Sequence, residues 1–452
     1  MESVRNVNYG KNMSKLLVIA NLHHASPRIP GLLYPLADMG WEATVVTPDV
    51  ERNSDELLGF PRDFREKVRI AEAPYRGDIF WIYREILDKL GFSKGRSYTE
   101  QIKEKVGEEE RGGSLVDKLM SLYQSIFAIP DTEWPWYRSA LRRSRDLFAE
   151  GAPFDVMISS SPFPTVHRVA ARLKAETGIP WIADFRDPWS QSHNYTMPRY
   201  RYLIDRYLEK STIAPADMVS TVSVAVAEKL SQLHGERVVV VPNGYQPVVD
   251  DHALEMPERL TISYTGTIYQ GKQDPNLILA AMKELIEEGR IDGSRVALNF
   301  YGRYNNALQN RITELGLEKS VRQMGSLPRA EIRRCQRNSH ILLLLQWEDR
   351  NERGIFPLKF YEYLDASRPI IATGGDRESD LADIIADTGS GWVAETVPEI
   401  KRLLAGAYDE FYAAGFLEYH GNAEAIEKYS FNGCAKKLSV YLDEVVKKGN
   451  KR

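Results

Sequence analysis

Cysteine is scarce: Cys335 and Cys434 are the only two in 452 residues. Two distant thiols make no disulfide framework and no zinc-ligand spacing, so neither a stapled secreted scaffold nor a metal site is expected. A reducing cytoplasm is the expected compartment. Long apolar runs are missing too. No stretch reaches the roughly 18 residues a membrane-crossing helix needs, and the opening MESVRNVNYGKNMSK lacks the apolar centre of a signal peptide. There is no excess of either charge. A formal net charge of −4 argues against a polyanion-binding surface and so against nucleic acid as a partner. Two phosphate-binding signatures are absent: no G-x-G-x-x-G follows the first apolar run, and no Walker loop occurs.

What is present is an ordinary globular composition, 43% hydrophobic and 27% charged, in a chain too long for one core. From Lys15 the segments alternate. KLLVIAN is a continuous apolar run, suited to a strand buried on both faces. LLYPLADMG has helical spacing, with Gly40 at its expected end, and EATVVTP is the next strand. This β-α-β unit implies a parallel sheet. The rhythm resumes at FDVMISSS and runs through IPWIADF, DMVSTVS and RVVVVPN. A second series begins at LTISYTG and runs through RVALNFYG, VRQMGS, HILLLLQW, RPIIATGG and SGWVAE. Between them PNGYQPVVDDHALEMPER is Pro-rich and aperiodic, as a linker would be. The expected architecture is α/β: two doubly wound, Rossmann-like domains facing a cleft, over 1–245 and 246–428, with 429–452 a helix crossing back to the first domain. Ligands of such sheets bind beyond the carboxyl ends of the strands.

Residues 75–140 interrupt the first series. Ile79, Ile82, Tyr83, Ile86, Leu87 and Leu90 form a stripe at helical spacing, and SLVDKLMSLYQSIFAIPD is a second amphipathic stretch. This predicts a helical insertion in the first domain. Packing against the body is one reading. A membrane-facing or acceptor-gripping arm, with Arg84, Lys89, Lys94 and Arg96 as its cations, is the other.

The first loop carries His23, His24, Arg28, Pro30 and Gly31, and Gly31 is a place where backbone could approach a ligand. In the second domain, Gly266 and Thr267 end a strand and Lys272 follows shortly before a helix, a candidate cradle for a diphosphate. HILLLLQW is then followed by a polar loop and a helix opening Phe-Pro-Leu-Lys. Pro357 suits the first turn. Lys359 in that turn is misplaced against the helix dipole unless an anion is near. Glu362 lies on the same face, able to accept sugar hydroxyls or, more plainly, to pair with Lys359.

Taken in order, PNGY, YTGTIYQGK, MGSLPRAEI and FPLKFYEYLDASRPIIATGG resemble the retaining GT-B glycosyltransferases of family 4. SSSPFPTVHRVAARLKAETGIPWIADFRDPW resembles the branch that makes surface polysaccharides and glycoconjugates. The resemblance implies a hexosyltransferase that needs no metal or other cofactor. Its second domain would hold a nucleotide-sugar donor. Its first would hold a glycan or lipid-linked glycan acceptor on the side of Arg28 and Gly31. It would work in the cytoplasm, with peripheral contact to the membrane face. By the same resemblance Lys272 is one of two cations on the donor diphosphate, with Thr267 or Ile268 near the place of the other, and Glu362 binds the nucleotide ribose. Gly354 stands where the family has the first of two glutamates at fixed spacing, so Glu352 or amides near Ile355 and Phe356 would hold the donor sugar. Asp184, Arg186 and Asp187 stand where relatives carry a histidine, and are the expected catalytic contacts. Two other readings share the fold: a sugar-nucleotide epimerase, and a degenerate, non-catalytic scaffold.

Overall fold

The computed structural model describes residues 13–49, 60–61, 63–75, 77–80, 122–151, 153–192, 195, 197–248, 254–269, 271–347, 354 and 357–450. Most of the predicted insertion, including Ile82 to Leu90 and its four cations, lies outside these residues, as do Glu352, Ile355 and Phe356.

The first sheet has seven parallel strands: β1 (Ser14–Ala20), β2 (Trp41–Pro48), β3 (Val68–Ala73), β4 (Val156–Ser160), β5 (Trp181–Phe185), β6 (Met218–Thr221) and β7 (Val238–Val240). Their order is β3-β2-β1-β4-β5-β6-β7, so the chain reverses direction across the sheet between β1 and β4. The apolar run Leu16–Ala20 is buried because β1 pairs with β2 on one side and β4 on the other. The longer helices over this part of the chain are α1 (Arg28–Asp38), α2 (Tyr137–Ala149), α3 (Thr165–Thr177), α4 (Arg199–Ile213) and α5 (Val224–His234). Gly40 follows α1 at positive φ, as the sequence predicts, and Gly178 follows α3 in the same way. The edge strand β3 is an addition to the sequence reading. Its half-buried alternation is much weaker than the run in β1.

The second sheet has six parallel strands: β8 (Leu260–Thr265), β9 (Val296–Tyr301), β10 (Val321–Gly325), β11 (Ile341–Leu345), β12 (Ile370–Thr373) and β13 (Gly391–Ala394). The order β10-β9-β8-β11-β12-β13 puts its reversal between β8 and β11. In β11, Ile341, Leu343 and Leu345 enter one apolar core and Leu342 and Leu344 another, which is why five apolar residues run without a break. The helices used below are α6 (Asn276–Glu287), α7 (Asn306–Glu314), α8 (Arg329–Arg337), α9 (Lys359–Ala366) and α10 (Phe431–Gly449). Pro357 precedes α9 rather than opening it: Leu358 is the N-cap and Lys359 the first helical residue.

The chain divides into two compact units. One holds the residues up to Val222, Ala227–Val241 and those from Ala435 onward. The other holds Ser223–Val226 and Pro242–Cys434. The sequence reading places the seam at 245 and the start of the final segment at 429. Tyr245 explains the shift, because it bridges to Ser430 and exchanges backbone hydrogen bonds with Tyr429 and Phe431, holding both segments in the second unit. Helix α10 therefore changes unit within its first turn.

Candidate active site

In the second unit the carboxyl end of β8 is the meeting point. The strand ends at Thr265 and turns at Gly266, with φ of +117°. A Cβ at Gly266 would lie 2.6 Å from the Lys359 Nζ, so the absence of a side chain is what lets that ammonium reach the strand end. Lys359 donates to the Tyr264 hydroxyl at 2.7 Å and lies over the Tyr264 ring. The Tyr264 hydroxyl in turn donates to the Thr267 carbonyl at 2.9 Å. Burial lowers the Lys359 pKa to about 7, against the opposing pull of Glu362. A positive group held this way, at a strand end and at the N-terminus of a helix, is suited to an anion.

Glu362 does not pair with Lys359 by a hydrogen bond. It accepts from Arg329 at 3.1 Å and Gln336 at 3.3 Å, and the Arg333 guanidinium stands 3.7 Å away. Gln336 also donates to Thr265, and the Tyr363 hydroxyl holds the Thr265 backbone N–H. Both first-turn residues of α9 thus converge on the end of β8, Lys359 directly and Glu362 through Gln336. Arg329, Arg333 and Gln336 escape the sequence reading. Their spacing on α8 is the signal that could have found them, because it puts all three on adjoining helix faces.

Lys272 lies with its ammonium over the Trp347 ring, 4.8 Å from the centroid, and Tyr269 stacks on the same ring. Gln273 knits this loop to the sheet, donating to the Leu345 carbonyl at 2.7 Å and accepting from Tyr264 and the Tyr269 N–H. Gly354 has φ of +82°, and a Cβ there would stand 2.6 Å from the Ser223 Oγ and 2.8 Å from the Ala225 Cβ. At this position, to which the resemblance assigns a glutamate, a side chain would collide with Ser223 and Ala225. Phe356, the other loop residue assigned to the donor, lies outside the described residues.

The first-unit residues are placed differently from the sequence expectation. Asp184, expected to touch the donor sugar, is buried and fully engaged at the end of β5. It accepts from Arg28 through Nε at 3.2 Å and Nη2 at 2.9 Å, and from Ser160 and Ser220 at 2.7 and 2.8 Å. Burial pushes its pKa up, but the Arg28 charge and these hydrogen bonds outweigh it, and the net shift is downward. Arg28, assigned to the acceptor side, is likewise buried and also holds the Val241 carbonyl. The pair laces together β4, β5, β6 and the residue after β7. Gly31 is buried in the first turn of α1. Arg186 reaches the His24 carbonyl, while its Nε is buried with no hydrogen-bond partner among the described residues. Burial, then His23 and Arg186, lower the His24 pKa to about 4, so its ring is neutral at pH 7. Asp187 is exposed. No group of three or more potential metal-ligating side chains occurs among the described residues.

The family comparisons agree with this architecture. A glycosyl transferase 4-like domain matches residues 112–244 and a glycosyl transferases group 1 domain matches residues 259–408. Sucrose-phosphate synthase from Thermosynechococcus elongatus is similar in structure, at 12% identity and a TM-score of 0.57, over 96% of this chain and 99% of that one. Anabaena Alr3699/HepE, solved in complex with UDP, is similar at 11% identity and a TM-score of 0.57, over 95% and 100%. S. aureus TarM, a mutant form solved with Fondaparinux, alpha-GlcNAc-glycerol and UDP, is similar at 10% identity and a TM-score of 0.51, over 95% and 100%. At such identities the likeness is one of fold. A search of the curated proteins finds no match. With the two domain matches in chain order, the first over the β4–β7 part of the first sheet and the second over the whole of the second sheet, the chain belongs to the glycosyltransferases, with a 4-like domain followed by a group 1 domain.

Proposed function

We propose that this glycosyltransferase moves a hexosyl group from a nucleotide-sugar donor to a glycan or lipid-linked glycan, with retention at the anomeric carbon, in the making of a polysaccharide or glycoconjugate. It works in the cytoplasm with peripheral contact to the membrane face. The observation that carries the reading is Lys359, an ammonium buried against the glycine that ends β8 and left partly neutral until an anion arrives.

Lys359 and Lys272 hold the donor diphosphate. As the bond from the anomeric carbon to the diphosphate oxygen breaks, its electron pair stays on that oxygen, and the two cations and the α9 N-terminus stabilise the charge. The acceptor hydroxyl bonds to the anomeric carbon on the same face. Its proton passes to a departing phosphate oxygen, so no separate base is required. Glu362 has oxygen lone pairs beyond those taken by Arg329 and Gln336, and these accept ribose hydroxyls. Within the first unit, Arg28 and Asp184 hold the strand ends together. The leaving-group charge is assigned to lysines and no metal is invoked.

The test is a panel of UDP-, GDP-, ADP- and CMP-sugars with glycan acceptors, following nucleoside diphosphate release and the anomeric configuration of the product by NMR. One donor is expected to react, with its configuration kept. A donor that raises the melting temperature while no glycoside forms with any acceptor would overturn transfer in favour of a binding scaffold. Epimerised nucleotide-sugar without release would identify an epimerase.

A further inference from the structure

Helix α4 is inside out. Arg201, Asp205 and Glu209 face the interior at 2%, 2% and 0% exposure, while Tyr200, Leu203, Ile204 and Tyr207 face outward at 48%, 58%, 40% and 73%. The helix over residues 122–127 has the same inversion: Ser125 is buried, and Leu122, Ile126 and Phe127 are about half exposed. The two helices are locked together. The Ser125 and Tyr200 hydroxyls are 2.7 Å apart. Arg201 donates to the carbonyls of Gln124 and Ser125 at 3.3 Å and of Pro130 at 2.9 Å, and to Asp205 at 2.8 Å. Buried polar groups thus hold two apolar faces side by side on the outside of the first unit, an arrangement that solvation alone would disfavour.

The charges decide what this surface meets. Across residues 122–140 and 197–213, Glu133, Asp205 and Glu209 are buried, and Asp131 is committed to the Thr165 N–H and hydroxyl. The exposed charges on these stretches are Arg138, Arg199 and Lys210, all cationic. Tyrosines 123, 200 and 207 and Trp134 are exposed among the aliphatic residues, the mixture found where protein sits at the level of lipid headgroups. No helix among the described residues is long and apolar enough to cross a membrane.

We propose that this face, helix 122–127 with α4, is the surface by which the protein lies on a bilayer carrying anionic headgroups. This deepens the peripheral contact in the reading above, and binding is measured without donor, so its failure leaves the transfer chemistry standing. The full chain is floated with vesicles of phosphatidylcholine alone and of phosphatidylcholine mixed with phosphatidylglycerol. Recovery with the anionic vesicles is expected, falling as salt is raised. Leu203→Asp/Tyr207→Asp should lower recovery at least about tenfold. Arg199→Glu/Lys210→Glu should lower it about fivefold or more per cation and remove most of the salt dependence. Both pairs are exposed, so an unchanged melting temperature separates lost binding from lost folding. No flotation of the wild type, or equal flotation of the Leu203/Tyr207 variant, overturns the proposal. A dimer in light scattering that the same variant dissolves would assign the face to a second copy and overturn it as well.

Discussion

At pH values near 7 Lys359 is close to half-protonated, because burial against Tyr264 and Gly266 disfavours its charge. An arriving diphosphate restores that charge, so nucleoside diphosphate binding should take up protons above pH 7. Affinity should fall as pH rises past the free pKa of about 7. Calorimetry in two buffers of different ionisation enthalpy reads the uptake. Lys359→Met should abolish it and lower affinity about 10- to 150-fold at pH 6. An unchanged proton uptake in the variant would remove Lys359 from the site. Glu362→Gln should keep partial binding, since Arg329 and Gln336 still find an acceptor, and Glu362→Ala should lose more. Asp184→Asn should act on stability: it leaves Arg28 buried without its counter-charge, at about 3–5 kcal/mol in denaturant unfolding. At this scale the sequence is readable where a residue is out of place, as a lysine is in the first turn of a helix. It is silent on partners that tertiary structure supplies. Nothing in ADFRDPW says that Asp184 is taken up by an arginine 156 residues earlier in the chain.

Elements are more legible than side chains. Strands buried on both faces announce themselves as unbroken apolar runs, and β1 and β11 lie where those runs are. The edge strand β3 has one weakly apolar face and no such signature. The onset of α9 lies two residues beyond Pro357, because a proline is as compatible with the approach to a helix as with its first turn. Glycines between elements carry consequences that composition hides. Gly266→Ala would force a Cβ into a positive-φ position against the Lys359 ammonium. It should cost about 1–2 kcal/mol in thermal unfolding and weaken nucleoside diphosphate binding in the same direction as the lysine substitution. Gly354→Glu, which writes in the carboxylate that the resemblance implies, should fail to raise transfer activity and should lower the melting temperature, since Ser223 and Ala225 occupy the space. Raised activity in a normally stable variant would contradict the crowding.

Across the whole molecule, the two parallel sheets follow from the alternation of the segments, while the strand order and the places of reversal come from tertiary structure. The return of the last helix to the first unit is expected from the sequence, but the residue at which it crosses is not legible, because pairing between Tyr245 and residues 429–431 keeps 429–434 in the second unit. The last helix completes the first unit. Leu438 lines a small cavity with Val18, Leu32 and Leu33, and the Ser439 hydroxyl accepts from the Trp41 indole at 3.1 Å. Leu438→Ala should therefore destabilise the first unit by about 2–5 kcal/mol, measured by denaturant unfolding. Residues 1–241 made alone should gain solubility when 435–452 are supplied as a peptide. The same feature sets a timetable on the ribosome. The first unit emerges early but lacks its closing helix until Pro242–Cys434 has been translated, a wait of roughly ten to forty seconds at about 5–20 residues per second. Through that interval the apolar residues that Leu438 will cover stand open, and the nascent chain is a client for whatever chaperone shields them.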